Sequence, residues 1–291
     1  MIPIYNVIIC HPNRIDGATL SGGAWVESLP LPNIQDRAFA RVARTIDLAA
    51  LSTWFVITFD RQRTIRAIAI IAHNITTGGR IRIRASDFEN FSVLKYDETR
   101  DAWPAASADW DIATLEWEND NYWLGSYSQE DAQGQAPISQ RVLPDAVQAR
   151  CWRIDIIDPA NPDGFIDIGR VFIGDVFVNP RVNYSYGASL GYEDATTVQT
   201  ALSGAEFFDP REPLRVARFQ LAHLDQFEAF TQALELTRRA GTWREVLLIL
   251  DPTDAAFGAV TCFIGRLRQL NPLEQAAWQT NSMAFEVKEL R

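Results

Sequence analysis

Cysteine, methionine and histidine are all scarce in this chain of 291 residues, which holds three, two and three of them respectively. Cys10, Cys151 and Cys262 share no CxxC spacing, so neither a disulfide framework nor a zinc site can be drawn from them. Their strand-like apolar neighbours mark them as buried free thiols. His11, His73 and His223 stand more than sixty residues apart, which leaves a histidine metal site or acid–base pair without local support. His73-Asn74 closes an apolar run, where a structural role in tying down the next corner is the simpler reading. No glycine-rich strand-to-helix junction offers a phosphate cradle, and no window reaches transmembrane length. Met1-Ile-Pro-Ile-Tyr-Asn6 lacks the charged leader of a secretory signal, which implies assembly inside a cell. Positive charge is also short: 27 basic against 37 acidic residues give a net charge of -10, unsuited to a general nucleic-acid binder.

What is present is strand-forming sequence. A hydrophobic fraction of 47% with 22% charged residues describes a folded chain rather than a disordered one. Trp54-Phe-Val-Ile-Thr-Phe59 and Arg66-Ala-Ile-Ala-Ile-Ile-Ala72 are short β-branched and aromatic runs, read as two buried strands joined by a polar corner. Arg80-Ile-Arg-Ile-Arg84 alternates strictly, placing Ile81 and Ile83 on one face and three arginines on the other. Leu29-Pro-Leu-Pro-Asn33 reads as an extended connector. Cys151 to Ile157 returns to alternation, and Asp158 to Gly164 is a turn before the strand pair that ends at Ile173. Asn161, Asp163 and Gly164 fail as a calcium loop because Pro159 occupies a liganding position.

The expectation is an all-β chain in two units, 1–178 and 179–291. The first opens with the strand Tyr5–Cys10 and carries an excursion over 96–135. The second contains one helix, over 225–240. Asp225 supplies its N-cap, Glu228 a capping-box partner and Gly241 a left-handed stop. Phe227, Phe230 and Leu234, with Ala229 and Ala233 beside them, define an apolar side expected to pack on a sheet, with Glu228, Gln232, Glu235 and Arg239 on the opposite side.

Residues 97–131 hold ten acids against Arg100 alone, whereas residues 1–84 hold ten arginines against five acids. Such asymmetry would let one copy dock on another through complementary potentials. The candidate contact residues are Trp103, Trp110, Trp117 and Trp123 of the excursion, set against Arg80, Arg82 and Arg84. No catalytic, cofactor-binding or metal-binding residue is assigned. Two other classes stay open. The tryptophans could stack on sugars in a glycan-binding module, and Glu116 with Glu118 could serve a glycosidase, although acids two apart in a loop are far more often solvated.

Two resemblances narrow the reading. Thr45-Ile-Asp47, the Trp54 strand, Arg66 to Asn74, Arg80 to Asp87 and Cys151 to Ile157 together resemble the discoidin-like, galactose-binding-like jelly roll. With Gly22-Gly-Ala-Trp25, Leu31-Pro-Asn33 and Arg41-Val-Ala-Arg44, the first 175 or so residues look like that domain as it occurs in tail proteins of long-tailed bacteriophages. The remainder is similar to the ring-forming domain of phage distal tail and tail-tube proteins, on the Asp225–Gly241 helix, Val246 to Pro252, Phe263 to Leu267 and Phe285 to Glu289. The resemblance implies a non-catalytic structural ring of six or three copies in the virion tail tip, assembled in the host cytoplasm. Its partners would be the tail tube and the hub or baseplate proteins, with DNA only as passing cargo, no membrane and no cofactor. Recognition of a host glycan is the alternative.

Overall fold

The structure is a computed structural model that describes residues 6–103, 137–253 and 258–291. Among these residues it is mainly β, with two large antiparallel sheets and one long helical segment, Glu228–Leu234 continued by Glu235–Ala240, flanking the second. The first sheet runs in the order Ala43–Arg44, Asp167–Gly174, Trp54–His73, Ile138–Ile157, Arg80–Ser86, Tyr96–Asp101, with Thr19–Ser21 beside Trp54–His73. The two expected runs around residue 60 are therefore one strand of 20 residues, and its partner Ile138–Ile157 is equally long. Their pairing shifts register between Thr58 and Arg63 and again between Ile65 and Ala67, opposite Pro144, which donates no ladder bond. The polar corner is thus a bend, and it lets one sheet fold over into a sandwich whose core holds Phe55, Ile57, Ile68, Ile70, Ile83, Trp152 and Ile154.

Ala67-Ile-Ala-Ile-Ile71 is apolar at every position because both faces are covered. Ile68 and Ile70 enter the sandwich core. Ala67, Ala69 and Ile71 point the other way, into a layer shared with Ile8, Cys10, Leu247, Ile249, Cys262 and Ile264. Those six belong to the second sheet, ordered Ser189–Glu193, Leu214–Leu224, Thr280–Glu289, Cys262–Leu267, Glu245–Ile249, Ile8–Cys10, Val176–Val178. Its opposite face packs under the helix with Val246, Leu248, Phe263, Phe219 and Phe285. The molecule is consequently a sandwich, a shared apolar layer, a second sheet and a helix.

Three expectations change. A division at 178 leaves Ile8–Cys10 and Val176–Val178 on the wrong side, since both pair within the second sheet. A short strand apolar on both faces carries no mark of the sheet it joins. Tyr96–Asp101 pairs with Arg80–Ser86, so the acidic excursion starts later than residue 96. Leu31–Gln35 is a 3-10 turn, with Pro32 in its first positions where the missing N–H costs nothing.

A buried ionic cluster pins the two bodies together. Arg170, fully buried on Asp167–Gly174, donates through Nη2 to Glu245 of the second sheet and to Asp16, and through Nη1 to the Ile34 carbonyl. Asn13 Nδ2 donates to Glu245 Oε1 at 2.7 Å and to the Val171 carbonyl at 2.9 Å. Burial pulls the Arg170 pKa down, yet Glu245 and Asp16 hold it above its ordinary value. Removing one partner would strand a charge in an apolar seam. Arg170→Met is therefore expected to cost about 3–5 kcal/mol in urea unfolding. Adding Glu245→Gln should recover a large part of that loss; a double variant no more stable than Arg170→Met alone would reject the pairing as the cause.

Candidate interaction surface

The predicted contact residues separate once placed. Trp103 is 6% exposed, donates through Nε1 to the Ile75 carbonyl at 2.8 Å and lies edge-on to His73 with ring centroids 5.6 Å apart. It is a core residue and presents no surface to a neighbour. Trp110, Trp117 and Trp123 lie outside the described residues, as do Glu116 and Glu118. Ile81 and Ile83 are buried while Arg80, Arg82 and Arg84 face outward, as alternation requires. Arg82 already bonds Asp97, through Nε at 2.7 Å, and Arg84 bonds Asp155 at 2.8 Å. Arg80 is exposed and lines a shallow cleft with Arg100 and Arg141.

At the end of the sandwich where the Trp54–His73 strand stops, a cleft of about 500 Å³ is lined by His73, Asn74, Thr76, Trp103, Asn161 and Asp163 among others. Its polar groups largely satisfy one another. Asp158 accepts from the Thr76 backbone N–H and hydroxyl, each at 2.8 Å, and Asn74 Nδ2 donates to Asp163 at 2.8 Å. Asn161 Nδ2 donates to the Asn74 carbonyl, while Asn74 Oδ1 accepts the Asp167 N–H. The turn expected at Asp158–Gly164 is thus held rigid, with Gly164 at φ +76°. His73 Nδ1 accepts from the Ile75 N–H at 3.3 Å, so the ring is neutral. Burial pushes its pKa down to about 3.

That shift has a signed consequence. Between pH 6.5 and about 3 the unfolded chain protonates His73 and the folded chain does not, so stability falls as pH falls. From pH 7 to pH 5 the loss is about 2 kcal/mol. A His73→Asn variant keeps an acceptor for Ile75. Urea titrations at both pH values should show the variant losing about 2 kcal/mol less than the native chain; equal losses would contradict a neutral buried imidazole.

Two uncovered apolar surfaces lie on the second body. Beyond the Ser189–Glu193 and Leu214–Leu224 pair the chain extends as a separate hairpin, Thr197–Thr200 with Glu206–Asp209. All eight strand residues are exposed, including Phe207 at 63% and Phe208 at 62%. Consecutive residues face opposite sides of a strand, so neither side of this finger is covered. An isolated two-stranded hairpin is marginal in water. Sequence reading passed over it, although Ser203-Gly204 between Thr-Val-Gln-Thr and Glu-Phe-Phe-Asp is a legible turn signal.

The helix repeats the pattern. Its start is as expected: Asp225 Oδ1 accepts the Glu228 N–H at 2.8 Å, and Glu228 Oε2 accepts the Asp225 N–H at 3.1 Å. Gly241 ends it at φ +56°. The expected packing face is rotated, however: the alanines of the apolar side bury and its larger residues do not. Ala229, Ala233, Leu236 and Ala240 bury against the sheet, as does Glu228, whereas Phe227 is 66% and Phe230 55% exposed, with Leu234 beside them. Residues 228–234 form π-helical turns, which shift the facing of side chains read at a period of 3.6. Small residues then sit where the backbone comes close to the sheet, and Glu228 Oε1 accepts the Arg181 N–H.

Among the described residues no group of three His, Cys, Asp or Glu side chains could hold a metal ion. Cys10, Cys151 and Cys262 are free and buried. No protein-family model and no curated protein matches the chain. Solved structures similar to it include CBM32-1 from a family 31 glycoside hydrolase of Clostridium perfringens, 10% identical over 57% of this chain and 100% of that one, TM-score 0.37. The family 32 CBM from C. perfringens NanJ in complex with galactose is 13% identical over 57% and 98%, TM-score 0.36. The lectin domain of Lectinolysin complexed with Lewis B antigen is 8% identical over 56% and 96%, TM-score 0.37. The fold class given above rests on the sheets themselves.

Proposed function

We propose that this chain is a structural assembly protein that closes into a ring of copies of itself, six or three in number. The observation that carries the reading is the pair of apolar surfaces the second body leaves uncovered, the aromatic finger and the Phe227–Phe230–Leu234 stripe. Burying an exposed phenylalanine is worth roughly 1.5–3 kcal/mol, so four of them and their neighbours supply a strong drive to associate. On the sequence resemblance alone, the setting we propose is the tail tip of a long-tailed bacteriophage. There the ring would join the tail tube to the baseplate or receptor-binding apparatus, with DNA passing through its lumen.

The test is the solution mass of the purified chain together with electron images, for which a closed annulus is expected. Phe207→Ser with Phe208→Ser should leave the urea midpoint of the dilute chain nearly unchanged, within about 0.5 kcal/mol, because both rings are exposed. The same change should convert the annulus to monomers. A native chain that stays monomeric at tens of micromolar would refute the reading.

One observation favours the second reading, glycan recognition by the first body: the preorganised cleft between His73, Trp103, Asn161 and Asp163 has the size of a small-ligand site. Saturable binding of a host glycan by a monomer, lost in Asp163→Ala, would favour it over assembly.

A further inference from the structure

The finger and the helical stripe stand at opposite ends of one strand. The hairpin leaves the sheet where Glu193 pairs with Leu214, at the start of Leu214–Leu224. Asp225, the helix cap, follows that strand's last residue, and Phe227 comes two residues later. Eleven residues of strand separate the two attachment points by roughly 35 Å, and Phe207, Phe208, Phe227 and Phe230 are all exposed in the single chain. A chain therefore does not cover its own stripe with its own finger.

Their chemistry is complementary. From Asp194 to Asp209 the finger carries three carboxylates, Asp194, Glu206 and Asp209; Arg211 at its base pairs with Asp209 at 3.0 Å, which leaves Glu206 as the free acid beside Phe208. The stripe continues at helical spacing from Leu234 into Arg238; Arg238 and Arg239 share the single carboxylate of Glu235, and Arg181 lies 3.6 Å from Asp225, so this end of the helix keeps an excess of positive charge. Arg238 and Arg181 are about 70% exposed, at 71% and 69% of their side chains. Phe208 provides the apolar contact, and Glu206, two residues away on the same face of the strand, meets the arginines.

We propose that the finger of one copy packs on the helical stripe of the next, an inference that rests on the assembly reading above. The contact is heterologous: each copy offers a finger at one end and a stripe at the other, so contacts propagate head to tail until the rotation closes. The partner class is thus a second copy of this chain, with the Phe208 side of its finger against Phe230 and Glu206 towards Arg238.

Cysteine pairs test it, since the native thiols are buried. Phe208→Cys and Phe230→Cys are made separately, mixed and oxidised. A disulfide-linked dimer is expected from the mixture and none from either variant alone, while the doubly substituted chain should give a ladder ending at the ring size. Association of the native chain without cross-links in the mixture, or self-linking of Phe208→Cys alone, overturns this pairing but leaves assembly standing. A native chain that does not associate overturns both. Charge exchange gives a second readout that a folding defect would not mimic. Arg238→Glu should weaken association at least tenfold, and Glu206→Arg in the same chain should restore it; no restoration counts against the contact.

Discussion

The apolar layer that Ala67, Ala69 and Ile71 share with Leu247, Ile249 and Ile264 sets the geometry of everything else. Two sheets whose central strands are buried on both faces have little freedom to slide, because close-packed side chains admit few arrangements of similar energy. The Arg170–Glu245 bond, crossing from one sheet to the other inside that seam, adds a directional constraint the apolar contacts lack. It is costly to desolvate, and its value lies in fixing register rather than in adding stability.

From that constraint follows the placement of the exposed features. With the sandwich fixed behind the second sheet, the other face is left for the helix, whose alanines allow close approach and turn its phenylalanines outward. The finger extends past the sheet at the far end of the Leu214–Leu224 strand. The loop-end cleft, by contrast, is held by Asp158, Asn161 and Asn74, whose hydrogen bonds go to Thr76, Asp163 and Asp167 and, through the Asn161 amide, to each other. A rigid frame thus separates a satisfied polar cleft from unsatisfied apolar surfaces, and the latter support assembly.

How much of this was legible in the sequence depends on the kind of signal. Alternation at Arg80–Arg84 placed its two isoleucines correctly, and the continuous run at 67–71 announced burial on both faces, because each depends only on local chemistry and strand geometry. The capping box at Asp225 and the stop at Gly241 were equally local. What failed was information held elsewhere in the fold. The sheet that Ile8–Cys10 joins is chosen by Glu245–Ile249, more than two hundred residues away. The helix face was misread because a period of 3.6 does not hold through π-helical turns. Trp103 looked like a surface anchor among acids, yet the hydrogen bond to Ile75 and the edge contact with His73 draw it inside. The fold class was thus readable, and the exposed apolar surfaces were not.

The dependence on one shared layer is open to direct measurement by native-state hydrogen exchange. The amides of Ala67–Ile71 in the first sheet and Val246–Ile249 in the second should exchange with the same free energy and the same denaturant dependence, as parts of one cooperative unit. Protection of the two strands that separates into distinct unfolding free energies, with one body opening while the other stays closed, would contradict the account.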